Sequence, residues 1–224
     1  MLKNKRLVIA IDGFSSTGKS SISKILADRL GIIHVDTGAL YRGVTLFAIE
    51  NCLENGFLNT DFLIKNLNKI DLKFRNINDN LNIFLNNRNI NLDIRNPEVS
   101  NLVSEVSSLP KVRSFLLYTQ RQMAKEGGII MDGRDIGSVV LPNADYKFFL
   151  TASLDERATR RYKELLENGI KQSLEDVKEN LSKRDDMDSN RLVAPLVQAP
   201  DAILIDNTSI NREETADLIY SYIS

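Results

Sequence analysis

The residues best suited to chemistry lie near the start of the chain, where Gly13-Phe14-Ser15-Ser16-Thr17-Gly18-Lys19-Ser20 has the spacing Gly-x-x-x-x-Gly-Lys-Ser. Glycines at these positions let successive backbone N–H groups converge on phosphate oxygens, the lysine reaches the β- and γ-phosphates, and the serine hydroxyl suits Mg²⁺. Chance alone gives this pattern in about one chain of this length in a hundred, so context must decide against a simple Gly-Ser turn. Just before it, Leu7-Val8-Ile9-Ala10-Ile11 is a continuous apolar run; after it, Ile22, Ile25, Leu26 and Leu30 recur at helical spacing ahead of Gly31. Buried strand, glycine loop and helix, in that order, make a phosphate cradle. Gly13, Phe14, Ser15, Ser16, Thr17, Gly18, Lys19, Ser20 and Ser21 are therefore expected to hold ATP, with Mg²⁺ on Ser20 and phosphoryl transfer as the chemistry.

A second group of residues points to a phosphate acceptor. Asp36-Thr37-Gly38-Ala39-Leu40-Tyr41-Arg42 follows a second short strand, and Asp132-Gly133-Arg134-Asp135-Ile136-Gly137 follows a third. The carboxyl ends of parallel strands form the ligand face of such sheets. Guanidinium forks match phosphate bidentately, so Arg42 and Arg134 are expected to bind a phosphate besides those of ATP; the competing reading is a surface pair with a neighbouring Asp. Asp36 and Asp132 are candidates to hold the waters of a Mg²⁺ ion. Further on, Asp155-Glu156-Arg157-Ala158-Thr159-Arg160-Arg161 gathers three arginines that could close over a transferring phosphoryl group, or form a solvated helix face with pairs such as Glu156 with Arg160. Asn68-Lys69-Ile70-Asp71 matches a guanine-recognition signature, but it follows a helical segment rather than a core strand and reads as accidental.

The elements that must position these residues are legible. Strand, helix, strand, helix open the chain, with Ile32-Ile33-His34-Val35 as the second strand and a helix through roughly Leu53. After a short helical segment from Asp61 to Leu67, the period changes to two. Ile70, Leu72 and Phe74, then Leu81, Ile83 and Leu85, then Ile90 and Leu92 alternate with polar residues, separated by Asn-Asp and Asn-Asn-Arg-Asn turns. This is the pattern of an antiparallel meander. Two helices follow, each with a proline in its first turn (Pro97, Pro110). The α/β pattern then returns with strands at Ile129-Ile130-Met131, Tyr146 to Leu150 and Ile203-Leu204-Ile205, and helices at about 153–166 and 173–189. The expected fold is α/β: a five-stranded parallel sheet flanked by helices, with a small antiparallel sheet inserted.

Composition excludes several classes. The net charge is −1 over 224 residues, which argues against the broad cationic field of a nucleic-acid or membrane-surface binder. One cysteine, Cys52, allows no disulfide framework, and no apolar stretch reaches membrane-spanning length; the basic start Met1 to Arg6 leads into a run too short for a signal segment. A soluble, cytoplasmic protein is expected. His34, the only histidine, has no second His or Cys nearby and is not expected to bind a metal.

The motifs together resemble those of bacterial cytidylate kinases. Asp-Thr-Gly-Ala-Leu-Tyr-Arg from Asp36, Asp-Gly-Arg-Asp-Ile-Gly-Ser-Val-Val from Asp132, Arg184-Asp185-Asp186-Met187-Asp188-Ser189-Asn190-Arg191 and Val193-Ala194-Pro195-Leu196 are similar, in order, to that family's signatures, as is the insertion. The resemblance implies a P-loop NTPase core at 1–57 and 96–224, an NMP-binding insertion at 58–95, and an arginine-rich lid at 153–170. It implies transfer of the γ-phosphoryl group of ATP to CMP or dCMP by a monomer. Carried over residue by residue, Lys19, Arg134 and Arg160 would act in catalysis, with Arg157 and Arg160 on the ATP side. Arg42, Arg134 and Arg191 would hold the CMP phosphate. Ser104, Arg113 and Asp135 would read cytosine, Asp188 would contact the sugar with Arg184 nearby, and Thr37, Tyr41 and Gly133 would line the same pocket; Thr37 stands where the family commonly has Ser.

The base assignment has its own logic. Cytosine offers an N4 donor beside the N3 and O2 acceptors, so a carboxylate such as Asp135 accepts from N4 while Arg113 and Ser104 donate. Uracil would put O4 against the carboxylate. The alternatives are a P-loop kinase that prefers UMP or another small acceptor, and a non-catalytic nucleotide switch.

Overall fold

The computed structural model describes residues 6–77 and 80–223. In chain order the elements are β1 (Val8–Gly13), α1 (Lys19–Leu30), β2 (Ile33–Asp36), α2 (Thr37–Asn51), β3 (Leu53–Glu54), β4 (Phe57–Leu58), α3 (Thr60–Lys65), β5 (Leu72–Ile77), β6 (Asn80–Leu85), β7 (Arg88–Asn89), α4 (Pro97–Ser108), α5 (Pro110–Ala124), β8 (Ile129–Asp132), β9 (Tyr146–Thr151), α6 (Leu154–Glu167), α7 (Leu174–Asn190), β10 (Ile203–Asp206) and α8 (Arg212–Ile223). They form two compact units: one from the segments up to Val35 and from Met123 onward, the other from Asp36–Gln122.

The first unit is built on a five-stranded sheet in the order β10-β9-β1-β8-β2. β1 runs parallel to both β8 and β9, and β9 runs parallel to β10. A central strand has both faces covered, which is why its sequence is apolar throughout rather than alternating; Ile9, Ala10 and Ile11 are fully buried. Ile9 and Ile11 pack with Ile22 and Leu26 of α1, Ile130, Phe148, Leu150, and Ala216 and Ile219 of α8. Chain order reverses direction across the sheet at β1, so the crevice beyond its carboxyl end is the expected ligand position. Helices α6 and α7 join through a cluster of Ala158, Leu165, Val177 and Leu181.

The second unit contains the meander. β5 pairs antiparallel with β6, Leu72 opposite Leu85 and Phe74 opposite Ile83, and β6 pairs with β7. The period-two residues Leu72, Ile83 and Leu85 face Leu40, Val44 and Phe47 of α2 and Val99, Val103 and Leu116 of α4 and α5 in one core. The third run is shorter than expected. β7 covers only Arg88–Asn89, and the chain then enters a 3₁₀ turn at Asp93–Arg95, which leaves Leu92 85% exposed. The turn at Asn78-Asp79 lies outside the described residues. Asn68-Lys69-Ile70-Asp71 falls across a 3₁₀ turn, Leu67–Lys69, that leads into β5 rather than at the end of a core strand.

Candidate functional site

The glycine loop joins β1 to α1, and its shape depends on glycine. Gly13 has φ 145°, and a Cβ there would lie 2.0 Å from the Leu150 carbonyl oxygen of β9. Gly18, at φ 86°, starts α1 in the left-handed region, which glycine tolerates at little cost. Helices α4, α6 and α7 begin with a side-chain cap from Asn96, Ser153 and Ser173, whereas α1 has none. The first-turn amides of α1 are thus left for an anion, where the helix dipole favours negative charge.

Lys19 is buried beneath this loop. Its Nζ donates to the Phe14 carbonyl oxygen at 2.6 Å and to Thr17 Oγ1 at 3.3 Å. Burial, reinforced by the nearby Arg134 guanidinium, lowers its pKa from 10.5 to about 7. The Asp132, Asp12 and Asp185 carboxylates act in the opposite sense, and a buried ammonium at the start of a helix suits a phosphate anion. Ser20 Oγ donates to Asp132 Oδ2 at 2.8 Å, which leaves the hydroxyl lone pairs for a cation. A hydroxyl beside a carboxylate suits a hard cation such as Mg²⁺, which keeps most of its waters. No group of three His, Cys, Asp or Glu able to hold a metal occurs among the described residues.

Arginines and aspartates from α6, α7 and the turn after β8 alternate around the loop. Arg191 Nη2 donates to Asp135 Oδ1 at 3.3 Å, and its Nη1 lies 3.7 Å from Asp188 Oδ1. Arg134 Nε donates to Asp188 Oδ2 at 2.9 Å, and its Nη2 donates to Ser15 Oγ at 2.9 Å. The Ser15 amide in turn donates to Asp185 Oδ1 at 3.1 Å, while Asp185 Oδ2 accepts from Arg157 Nη1. Arg157 also donates through Nη1 to the Ser15 carbonyl at 3.2 Å and stacks over Phe14 at 5.3 Å. The spacing of α7 explains how one helix serves so much of this chain: Asp185, Asp188 and the C-cap Arg191 recur at steps of three residues along one side of it. Arg184 is half-buried with its Nε enclosed. Gly133 N–H donates to the Ile11 carbonyl at 3.0 Å, fixing the turn that precedes Arg134.

Arg160 reaches the loop by another route. It pairs with Glu156 at 2.9 Å, the helical pair foreseen from spacing, but it also donates to Asn207 Oδ1 at 3.1 Å and the Asn207 carbonyl at 2.7 Å. Asn207 Nδ2 then donates to the Thr17 carbonyl at 2.9 Å. Arg161 pairs with Glu164 at 2.9 Å.

The remaining candidates lie in the second unit. Thr37, Tyr41 and Arg42 occupy the first turns of α2, Ser104 lies on α4 and Arg113 on α5. Arg42 Nη1 donates to Ser100 Oγ at 3.0 Å and the Ile94 carbonyl at 3.2 Å. Buried Arg113 donates to the Ser107 carbonyl at 3.1 Å with its guanidinium 5.3 Å from the Tyr41 ring centroid. Ser104 is also buried.

Four residues of the first unit are tied to the site although sequence reasoning gave them no role there. Asp185 binds both the Ser15 amide and Arg157; Asn207 joins Arg160 to the loop; His34 Nε2 lies 2.6 Å from Asp132 Oδ1. Asp12 accepts from the Ile136 and Gly137 amides, each at 2.7 Å, where a π-helical turn at Ile136–Val140 begins. Burial raises its pKa from 3.8 to about 6 against the effect of those two bonds. The available signal was position: Asp12 and Asn207 each stand at or just past the carboxyl end of a core strand.

Parallel sheet, reversal point and glycine loop together define a P-loop nucleotide-binding α/β protein. The fold is shared with a crystal structure of an uncharacterized protein from Eubacterium ventriosum, at TM-score 0.55 and 14% identity over 98% of each chain. Residues 9–224 match the family described as Cytidylate kinase. A cytidylate kinase from Flavobacterium psychrophilum is 46% identical over 98% of this chain and 99% of its own. Those from Flavobacterium johnsoniae and Lactococcus lactis are 49% identical over 94% and 93%, and 45% identical over 96% of each. The chain belongs to the cytidylate kinase family.

Proposed function

We propose that this cytidylate kinase transfers the γ-phosphoryl group of ATP to CMP or dCMP by positioning and charge stabilisation at the glycine loop, giving ADP and CDP or dCDP. The observation that carries the reading is the unbroken chain of contacts from Asp135 through Arg191, Asp188 and Arg134 to Ser15. It ties residues suited to an acceptor phosphate to the loop suited to the donor. Phosphoryl transfer leaves the protein little covalent chemistry, so this coupling is the main thing it must supply.

In this reading Lys19 and the loop amides hold the ATP phosphates, and Arg134 and Arg160 stabilise the transferring group. Ser20 would hold Mg²⁺, with Asp132 holding its waters, and the ion would supply charge neutralisation for the triphosphate. Arg157 keeps the loop in shape from the lid, 153–170. Arg42, Arg134 and Arg191 take the CMP phosphate; Ser104, Arg113 and Asp135 take cytosine; Asp188 takes the sugar, beside Arg184; Thr37, Tyr41 and Gly133 line the pocket. Segment 58–95 is the part that closes over the monophosphate. A formally neutral arrangement of Asp and Arg gives each carboxylate a partner to exchange when nucleotide arrives.

We further propose that the enzyme acts as a monomer in the cytoplasm in pyrimidine nucleotide metabolism; the lone, buried Cys52 thiol agrees with a reducing compartment. No helix among the described residues is long and apolar enough to cross a membrane. A coupled ADP-release assay with Mg-ATP tests the acceptor. CMP and dCMP are expected to exceed UMP in kcat/KM by at least tenfold, roughly the 1.4 kcal/mol lost when one carboxylate faces O4, and AMP and GMP to be poorer still. Equal values for UMP and CMP would remove Asp135 from base recognition.

A further inference from the structure

Asp132 closes β8 and has a neighbour on each side. Toward β1, its Oδ2 accepts from Ser20 Oγ in the first turn of α1 at 2.8 Å; toward β2, its Oδ1 lies 2.6 Å from His34 Nε2. The carboxylate is nearly inaccessible, with 4% of its side chain exposed, against 18% for the imidazole. An ionised carboxylate only accepts, so His34 must carry its proton on Nε2 and donate it.

The two bonds divide the work of the carboxylate between its oxygens. With Oδ1 held by His34, Oδ2 is turned toward Ser20, and the serine proton is committed to it. The serine oxygen then presents lone pairs outward. Losing the imidazole removes one bond that fixes the χ2 torsion of the carboxylate, which lets the Ser20 hydroxyl rotate its proton toward the position a cation would take. Outer hydrogen bonds that orient a metal's ligands commonly matter almost as much as the ligands.

We propose that His34 is a positioning residue for the divalent cation that accompanies the nucleotide: through Asp132 it fixes the direction of the Ser20 hydroxyl. The inference rests on Ser20 being the cation-facing hydroxyl. It gives the only histidine of the chain a role that spacing alone did not reveal, since its partner lies 98 residues away.

The test is equilibrium calorimetry of ADP binding to the full chain, once with Mg²⁺ and once with excess chelator. Wild type is expected to bind Mg-ADP more tightly than ADP. His34→Phe should reduce that ratio roughly three- to tenfold, less than the 10- to 100-fold typical of removing a partner bonded directly to a metal ligand, while metal-free ADP binding changes less than twofold. His34→Gln keeps an N–H donor and should recover at least half of the lost ratio. Should phenylalanine be too large for the edge of the sheet, His34→Leu removes the donor with less bulk. An unchanged Mg²⁺ ratio in both donor-less variants, or equal weakening with and without Mg²⁺, overturns the proposal while leaving the kinase reading intact. Failure of the wild-type protein to bind ADP in either condition would overturn both.

Discussion

The Arg134 guanidinium donates through Nη2 to Ser15 Oγ at 2.9 Å and through Nε to Asp188 Oδ2 at 2.9 Å. One side chain therefore spans the donor loop and the acceptor-side helix α7. Its charge is kept: burial works against the guanidinium, but Asp188, with Asp185 and Asp132, more than offsets this and its pKa stays above the ordinary arginine value. A lysine has one donor centre and cannot make both contacts at once.

Replacing Arg134 by Lys is accordingly expected to lower kcat by roughly 10²- to 10³-fold, the range found for removing one group that stabilises transition-state charge. KM for ATP should change less than threefold. Steady-state kinetics with both substrates varied will separate the two; a loss confined to KM would make Arg134 a binding residue only.

Lys19 makes stability depend on pH in a defined direction. In the unfolded chain it holds its proton up to about 10.5, whereas in the folded protein burial makes it release the proton near 7. Between those values the unfolded state binds more protons, so this group makes stability rise with pH. Below about 7 the penalty is complete, a few kcal/mol at about 1.4 kcal/mol per pH unit. Lys19→Met should therefore abolish activity yet raise the Tm of the nucleotide-free protein, more at pH 6 than at pH 9.5. Differential scanning calorimetry at both pH values checks this, and an equal Tm difference would contradict the lowered pKa. Asp12 acts oppositely between about 4 and 6, because its raised pKa lets the folded state hold the extra proton.

The Arg157–Asp185 pair holds the loop through both the amide and the carbonyl of Ser15. Both partners are buried. Removing one leaves the other as an uncompensated charge, which typically costs 3–5 kcal/mol. Asp185→Ala should lose about that much in urea unfolding at unchanged m-value. The double variant Asp185→Ala with Arg157→Met should recover part of the stability without recovering activity.

Arg160→Ala removes the link from α6 through Asn207 to Thr17. We expect kcat to fall at least tenfold with CMP affinity nearly unchanged, since the contact is on the donor side. Loss of CMP affinity with normal kcat would reassign the residue.

The sequence was most informative where structure is local. The apolar run of β1 and the period-two runs of β5 and β6 each encode their own burial, and Gly13 to Ser20 is contiguous. Short or long-range features were harder to read. The strands of β3 and β4 are two residues each, too short for periodicity, and the π-helical turn at Ile136–Val140 is set by the carboxylate of Asp12, 124 residues away from Ile136. α8 carries an apolar face in Ala216, Ile219 and Ile223, away from any residue suited to chemistry in the sequence. Within the site, residue types suited to phosphate were legible. Their partners were not, because the partners of Ser15, Asp132 and Arg160 come from other strands and helices and no local pattern announces them.

The alternation of Asp and Arg around the loop also bears on how nucleotides arrive. Asp135, Asp188 and Asp185 face Arg191, Arg134 and Arg157, three charges of each sign. Such a set has almost no monopole, so its field decays within a few ångströms and does little to draw an anion from a distance. Capture by this part of the protein is a contact event governed by partner exchange, and its rate should vary only weakly with ionic strength.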